Sequence, residues 1–359
     1  MPGSTTRYEI YEEKSLKVAA KLLKEASPEP GIVAIIGNQT SQVDIPDFQE
    51  FRSRIQSKSG RQIKRVEIEK KYFAYLERQR LYTNNFIPHR NLLCLMRLVR
   101  KGIIKAIITT NYDRYVMATF LRYGQPFKCV LNPLLSGDEN WNSDGYYSAK
   151  PSANEIPLWK IHGDLGFVRM DDCCHIFRLP SFVIDRVVLN NSSSPICCHN
   201  SIYKENGDRF RDPSLTREHP SISYQHHIDF DSSRDIFQKE SRAALKQLDG
   251  HLKKGGLVLV LGMSFNPVFT EELVLILSKP HRTAPLVYVV ASQKKITFSE
   301  NELLSKLNDA HEDYILVNEI NSDKRIDHAL IEILKRSGET DIEKEYQKWI
   351  TEKKWWVKV

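Results

Sequence analysis

Four apolar runs in this chain break abruptly into polar residues at their carboxyl ends: "IVAIIGNQTSQ" from Ile32, "IIKAIITTNYD" from Ile103, "IPLWKIHGD" from Ile156 and "LVLVLGMSFN" from Leu257. Short apolar runs without alternation suit strands covered on both faces. The segments between them carry helical spacing instead. "SLKVAAKLLKEA" places Leu16, Ala19, Ala20 and Leu23 on one face. "PHRNLLCLMRLVRKG" does so with Leu92, Leu95, Met96 and Val99, between Pro88 at its start and Gly102 at its stop. "IFQKESRAALKQLDGHLKKGG" and "TEELVLILSK" bracket the last of the four runs, and "PLVYVVAS" supplies a further strand. Strands alternating with helices predict an α/β fold, a Rossmann-like doubly wound parallel sheet.

Two stretches depart from that rhythm. Residues 49–87 are charged and helical in pattern, which predicts a lobe outside the sheet. Residues 166–224 cluster Cys, His, Ser, Asn and Pro with little periodicity and read as an inserted module. The sheet domain is therefore expected over 1–165 and 225–335. Residues 336–359 form a Trp/Lys-rich tail with Trp349, Trp355 and Trp356, suited either to docking a partner or to packing on its own domain.

With 41% apolar and 27% charged residues in 359, the chain has the composition of a soluble globular protein rather than a disordered one. Its apolar runs fall far short of the ~20 residues that span a bilayer, and its first thirty residues lack a signal-peptide core. The expectation is an intracellular, cytoplasmic protein with no membrane partner. The net charge of +7 suits an anionic ligand or nucleic acid without choosing between them. The densest basic run, Arg52 to Lys71, lacks the aromatic interleaving of a single-strand binding track, so a solvated helical face is the simpler reading.

In a doubly wound sheet, ligands lie beyond the carboxyl ends of the strands, where the four polar runs would meet. Each run has a structural explanation by itself: Asn111 and Asp113 suit a helix cap and His162 a turn. Together they would bring amides, hydroxyls, a carboxylate and an imidazole to one crevice.

Their order resembles the sirtuins and, more closely, the sirtuin-like NAD hydrolases of prokaryotic defence systems. The motifs are "IPDF" at Ile45 to Phe48, "TTNYD" at Thr109 to Asp113, "HGD" at His162 to Asp164 and "GMS" at Gly262 to Ser264. The resemblance spans roughly residues 30–295. It implies NAD+ as substrate and cleavage of the bond between nicotinamide and ribose. By this carry-over Asp47 binds the nicotinamide carboxamide, Asn111 positions the ribose or the attacking water, His162 is the general base and Asp113 supports it. Gly37, Ser41, Phe48, Thr110, Gly262 and Ser264 belong to the cofactor site.

The family's second loop glycine is replaced by Gln39, which is expected to narrow the approach to the pyrophosphate. The arginine that follows "DF" in the family is replaced by Gln49. Both departures imply a slow or gated site.

Of six cysteines, Cys94 and Cys129 read as buried thiols. The other four fall in "DDCCHIF" and "PICCHNS", inside the module expected to match the sirtuin zinc site. Cys173 with His175 and Cys197 with His199 give same-side pairs for a structural zinc, with Cys174 and Cys198 as alternative ligands. Free thiols are the competing reading.

The leading function is an NAD+ glycohydrolase that depletes the nucleotide as an antiviral defence effector, restrained by a homo-oligomer or a protein partner in a defence complex. A protein deacylase is the first alternative, although "SISYQHHIDF" lacks the family's peptide-pairing stretch. A catalytically weak nucleotide-binding subunit is the second.

Overall fold

β1 (Ile32–Ile36) is buried at every residue, as an unbroken apolar run requires. The computed structural model describes residues 13–26, 29–41, 48–59, 90–111, 115–130, 147–148, 152–161, 167–169, 176–178, 236–263, 265, 267–279, 286–293, 296–297, 301–310, 313–320, 326–339 and 341–351. After β1 come β2 (Ile104–Thr109), β3 (Phe127–Val130), β4 (Tyr147–Ser148), β5 (Ile156–Lys160), β6 (Phe167–Arg169), β7 (Ile176–Arg178), β8 (Leu257–Leu261), β9 (Leu286–Ser292) and β10 (Tyr314–Ile320). Eight of these form one sheet in the order β10-β9-β8-β1-β2-β5-β3-β4, with every adjacent pair parallel. β6 and β7 form a separate antiparallel pair.

The helices are α1 (Glu13–Glu25), α2 (Asn38–Ser41), α3 (Phe48–Ser59), α4 (Arg90–Arg100), α5 (Tyr115–Tyr123), α6 (Ile236–Lys253), α7 (Pro267–Leu277), α8 (Glu302–Asp309), α9 (Asp327–Arg336) and α10 (Ile342–Thr351). Strand residues alternate between two cores. Ile32, Ala34 and Ile36 join α1, α4, α5 and α9 on one face, and Val33 and Ile35 join α6, α7 and α8 on the other. The expected doubly wound α/β sheet is therefore present. β3, β4 and β10 add to the strands expected from the sequence. β3 and β4 are too short to carry a pattern of their own, and β10 has Asn318 and Glu319 inside its run.

α4 differs from its one-faced expectation, because Asn91 to Met96, Leu98 and Val99 are all buried. It is sandwiched between the sheet and helices α5, α9 and α10, so more than one face needs apolar residues. α10 carries the first part of the expected tail back onto α4, while Trp355 and Trp356 lie outside the described residues. α3 covers the start of the expected 49–87 lobe, and residues 60–87 lie outside the description. Among the described residues no helix is long and apolar enough to cross a membrane.

From β1 the chain moves outward through β2, whereas β8, on the other flank of β1, leads outward to β9 and β10. The direction of winding thus reverses between β1 and β8. The carboxyl edge at that boundary is where a doubly wound sheet opens a crevice.

Candidate active site

Two glycine turns meet at the reversal point. Gly37 follows β1 and donates its N–H to the Leu261 carbonyl at 2.9 Å. Gly262 follows β8, has φ +58° and donates its N–H to the Val289 carbonyl at 2.8 Å. A Cβ on Gly37 would lie 2.5 Å from Met263 Cα, and one on Gly262 would lie 2.6 Å from Gln39 Cβ. Both positions need glycine, because the turns cross backbone against backbone.

The carbonyls of these turns point to internal donors. Gly37 O accepts from Thr40 N–H at 3.1 Å, Thr40 Oγ1 at 2.5 Å and Asn111 Nδ2 at 3.0 Å. Gln39 O accepts from Asn91 Nδ2 at 3.0 Å, and Gly262 O from Gln39 N–H at 3.0 Å. Met263 O accepts from the Tyr288 hydroxyl at 2.6 Å. Four acceptors that would repel a phosphate are thus engaged within the protein.

Asn111 is 6% exposed and stands just past β2, where its own N–H bonds Thr109 Oγ1 at 3.0 Å. This short turn at the strand end aims the carboxamide across at Gly37. Thr110 is half-buried and donates its N–H to the Ile36 carbonyl at 3.3 Å. Two neighbouring strand ends are thereby tied together.

The structure brings Gly37, Thr110, Asn111 and Gly262 to one edge. Ser41 closes α2 and Phe48 opens α3, and their side chains lie outside the description. Asp47, Asp113, His162 and Ser264 lie outside the described residues. The chain leaves β5 through Ile161, whose N–H bonds the Thr109 carbonyl at 3.0 Å, and His162 is the next residue.

Gln39 differs from its expectation as an obstruction. Its side chain turns toward β9, with Nε2 donating to Ala291 O at 2.8 Å and Oε1 accepting from Ala291 N–H at 3.0 Å. A carboxamide carries a donor and an acceptor side by side, as a peptide group does, so it satisfies both.

Several contributors carried no sequence signal. Asn91 sits within an apolar helical pattern, and Thr40 looks like any turn hydroxyl. Tyr288 lies in the middle of a strand, where burial raises the pKa of its hydroxyl against the bond from Asn301 Nδ2 at 2.9 Å. Lys160 ends β5 in register with Thr109 and is 9% exposed.

Among the described residues no group of three or more His, Cys, Asp or Glu could hold a metal ion. Cys173, Cys174, His175, Cys197, Cys198 and His199 lie outside them, in or beyond the segment joining β6 to β7. Cys94 is buried, and burial pushes its thiol up, as expected of an inert core cysteine.

The family model of the SIR2-like domain matches residues 105–315, more than half of the chain. Among solved structures, one described as the structural basis for the mechanism and regulation of Sir2 enzymes gives a TM-score of 0.48 at 16% identity. The match covers 91% of this chain and 98% of that one. Another, Sir2Tm bound to a propionylated peptide, gives 0.46 at 17% identity, covering 90% and 98%. No curated protein matches the sequence. The chain belongs to the SIR2-like family.

Proposed function

We propose that the protein is an NAD+ glycohydrolase, releasing nicotinamide and ADP-ribose. Membership of the SIR2-like family supports an NAD-dependent, sirtuin-type activity. The observation that carries the reading is the inward turn of the Gly37, Gln39, Gly262 and Met263 carbonyls at the reversal point. A crevice relieved of those acceptors suits a ligand rich in acceptors, and the pyrophosphate of NAD+ is one.

Water attacks C1′ of the ribose, the bond to nicotinamide breaks, and neutral nicotinamide leaves with the bonding electron pair. The proton of the attacking water passes to His162, an imidazole whose ordinary pKa of ~6.5 suits the transfer. Asp47 holds the departing carboxamide, and Asp113 supports the base. Asn111, held by the bond from its Nδ2 to the Gly37 carbonyl, positions the ribose or the attacking water. In this reading Gly262 and Ser264 bind the phosphates or the adenosine ribose, with Phe48, Thr110 and Ser41 completing the cofactor site.

The two Cys-Cys-His groups have the donor chemistry of a structural zinc, and no step of the reaction passes through it. Depletion of NAD+ in antiviral defence, under the control of an oligomer or partner, is the setting proposed for the activity.

The test incubates the full chain with NAD+, with and without an acetyl-lysine peptide, and follows nicotinamide. The expected result is release without peptide, falling by about a hundredfold or more in Asn111→Ala. Release only with peptide would make the protein a deacylase. Binding without release would make it a nucleotide-binding subunit, and absent binding would end the NAD reading. Metal analysis of the same preparation reads the zinc, and less than about a tenth of an equivalent would remove it.

A further inference from the structure

β9 outlasts its neighbour β8. Their register ends at Leu261 opposite Val289, and Gly262 N–H closes it on the Val289 carbonyl. The next rung of a parallel ladder would run from Ala291 N–H to the Gly262 carbonyl. Gly262, with its left-handed φ of +58°, turns that carbonyl to Gln39 N–H instead. The Gln39 side chain then supplies both missing partners of Ala291, at 2.8 and 3.0 Å. One glutamine thus ties the turn after β1 to the end of β9, across the turn after β8. It passes so close to Gly262 that a Cβ there would collide with its own Cβ.

From this geometry we infer that Gln39 is a positioning residue for the nucleotide. It joins the two turns on either side of the crevice into one preformed unit, replacing the freedom that a glycine would have at that position. The inference rests on the NAD reading for its ligand and on the Gln39 bonds alone for its mechanism. Side chains fixed before the ligand arrives lower the ordering cost of binding, so losing the tie weakens affinity.

The test uses Gln39→Met, which keeps volume and length but cannot bridge Ala291. NAD+ affinity by calorimetry, KM and kcat for nicotinamide release, and amide hydrogen exchange are measured on the full chain. The expected result is affinity about tenfold weaker, with more of the loss in KM than in kcat, and faster exchange at Ala291, Gln39 and Thr40. Faster exchange with affinity within about twofold of the parent would reduce Gln39 to a structural tie and overturn the inference. Tighter binding or faster turnover would also overturn it, by making the tie inhibitory. If the parent chain binds no NAD+, the functional reading falls separately. Exchange then decides the mechanism alone: unchanged protection of Gln39 and Thr40 in the variant overturns the tie, and lost protection supports it.

Discussion

Tyr288 shows how one residue far from any motif holds the edge of the crevice. Its hydroxyl is fully buried, receives a hydrogen bond from Asn301 Nδ2 and gives one to the Met263 carbonyl. Asn301 in turn caps α8 by accepting from Leu304 N–H at 3.1 Å, so the cap, the hydroxyl and the turn form one chain of bonds. Tyr288→Phe keeps the ring, which stacks edge-on against Phe265 with centroids 5.6 Å apart, and removes only the hydroxyl. Met263 O is left without that donor, a loss of about 1–3 kcal/mol. Urea unfolding is expected to show a lower midpoint with an unchanged slope; an unchanged midpoint would mean that another donor replaces the hydroxyl. The sequence could not announce this role, because a tyrosine inside "LVYVVAS" reads as core. Gly37, Thr110, Asn111 and Gly262 were legible for the opposite reason, since glycine and polar residues directly after apolar strands have few other places to be. Gln39 was legible as a departure from the family and misread in direction, because a sequence does not say which way a side chain turns.

The helices on the α4 face are tied by charge as well as by apolar packing. Arg97 of α4 donates through Nε and Nη2 to Glu345 of α10 at 3.0 and 2.5 Å, and through Nη1 to Glu339 at 3.3 Å. Tyr123 of α5 donates its hydroxyl to the other oxygen of Glu345 at 2.8 Å, and Lys101 pairs with Glu339. Two turns N-terminal on the same helix face, Arg90 pairs with Glu343 at 2.8 Å and lies over the Tyr346 ring at 4.9 Å. The side chains of Arg97 and Glu339 are only 17% and 11% exposed, so this cluster is not an ordinary surface pairing. Removing the guanidinium leaves two carboxylates together in a poorly solvated place. Arg97→Met is expected to cost about 2–4 kcal/mol, and adding Glu345→Gln to recover part of it. Additive losses in denaturant unfolding would show that the two residues act independently. The tail was open in sequence between docking outward and folding back, because charge spacing alone does not identify its partner. The basic residues that receive α10 lie some 250 positions earlier, at separations of 248 and 242 residues for Arg97 with Glu345 and Glu339.

Across the whole molecule, the sheet separates the candidate site at its carboxyl edge from a pH-sensitive support at its amino edge. His251, near the end of α6, places Nε2 3.0 Å from the Leu257 carbonyl where β8 begins, and its ring lies against Gly256. Burial lowers its pKa below the ordinary 6.5; the bond to Leu257 and the charge of Glu29 oppose that fall, and Lys254 adds to it. The folded protein therefore binds a proton at His251 less readily than the unfolded chain does. Its contribution to stability is complete above the unfolded value near 6.5 and is lost as the pH falls through that value toward the lowered folded one. His162, the proposed general base, follows Ile161 in the sequence, and its protonation is expected to silence turnover in the same pH region. Activity measured toward acid thus mixes two losses, and His251→Gln separates them. Glutamine has a side-chain N–H for Leu257 and no charge to gain, so thermal stability between about pH 5 and pH 7 should flatten in the variant. The acid limb of nicotinamide release, read at a temperature well below unfolding, should stay where it was. An acid limb that moves with His251→Gln would place the loss of activity in the fold, and the general base would then have to be sought elsewhere than at His162.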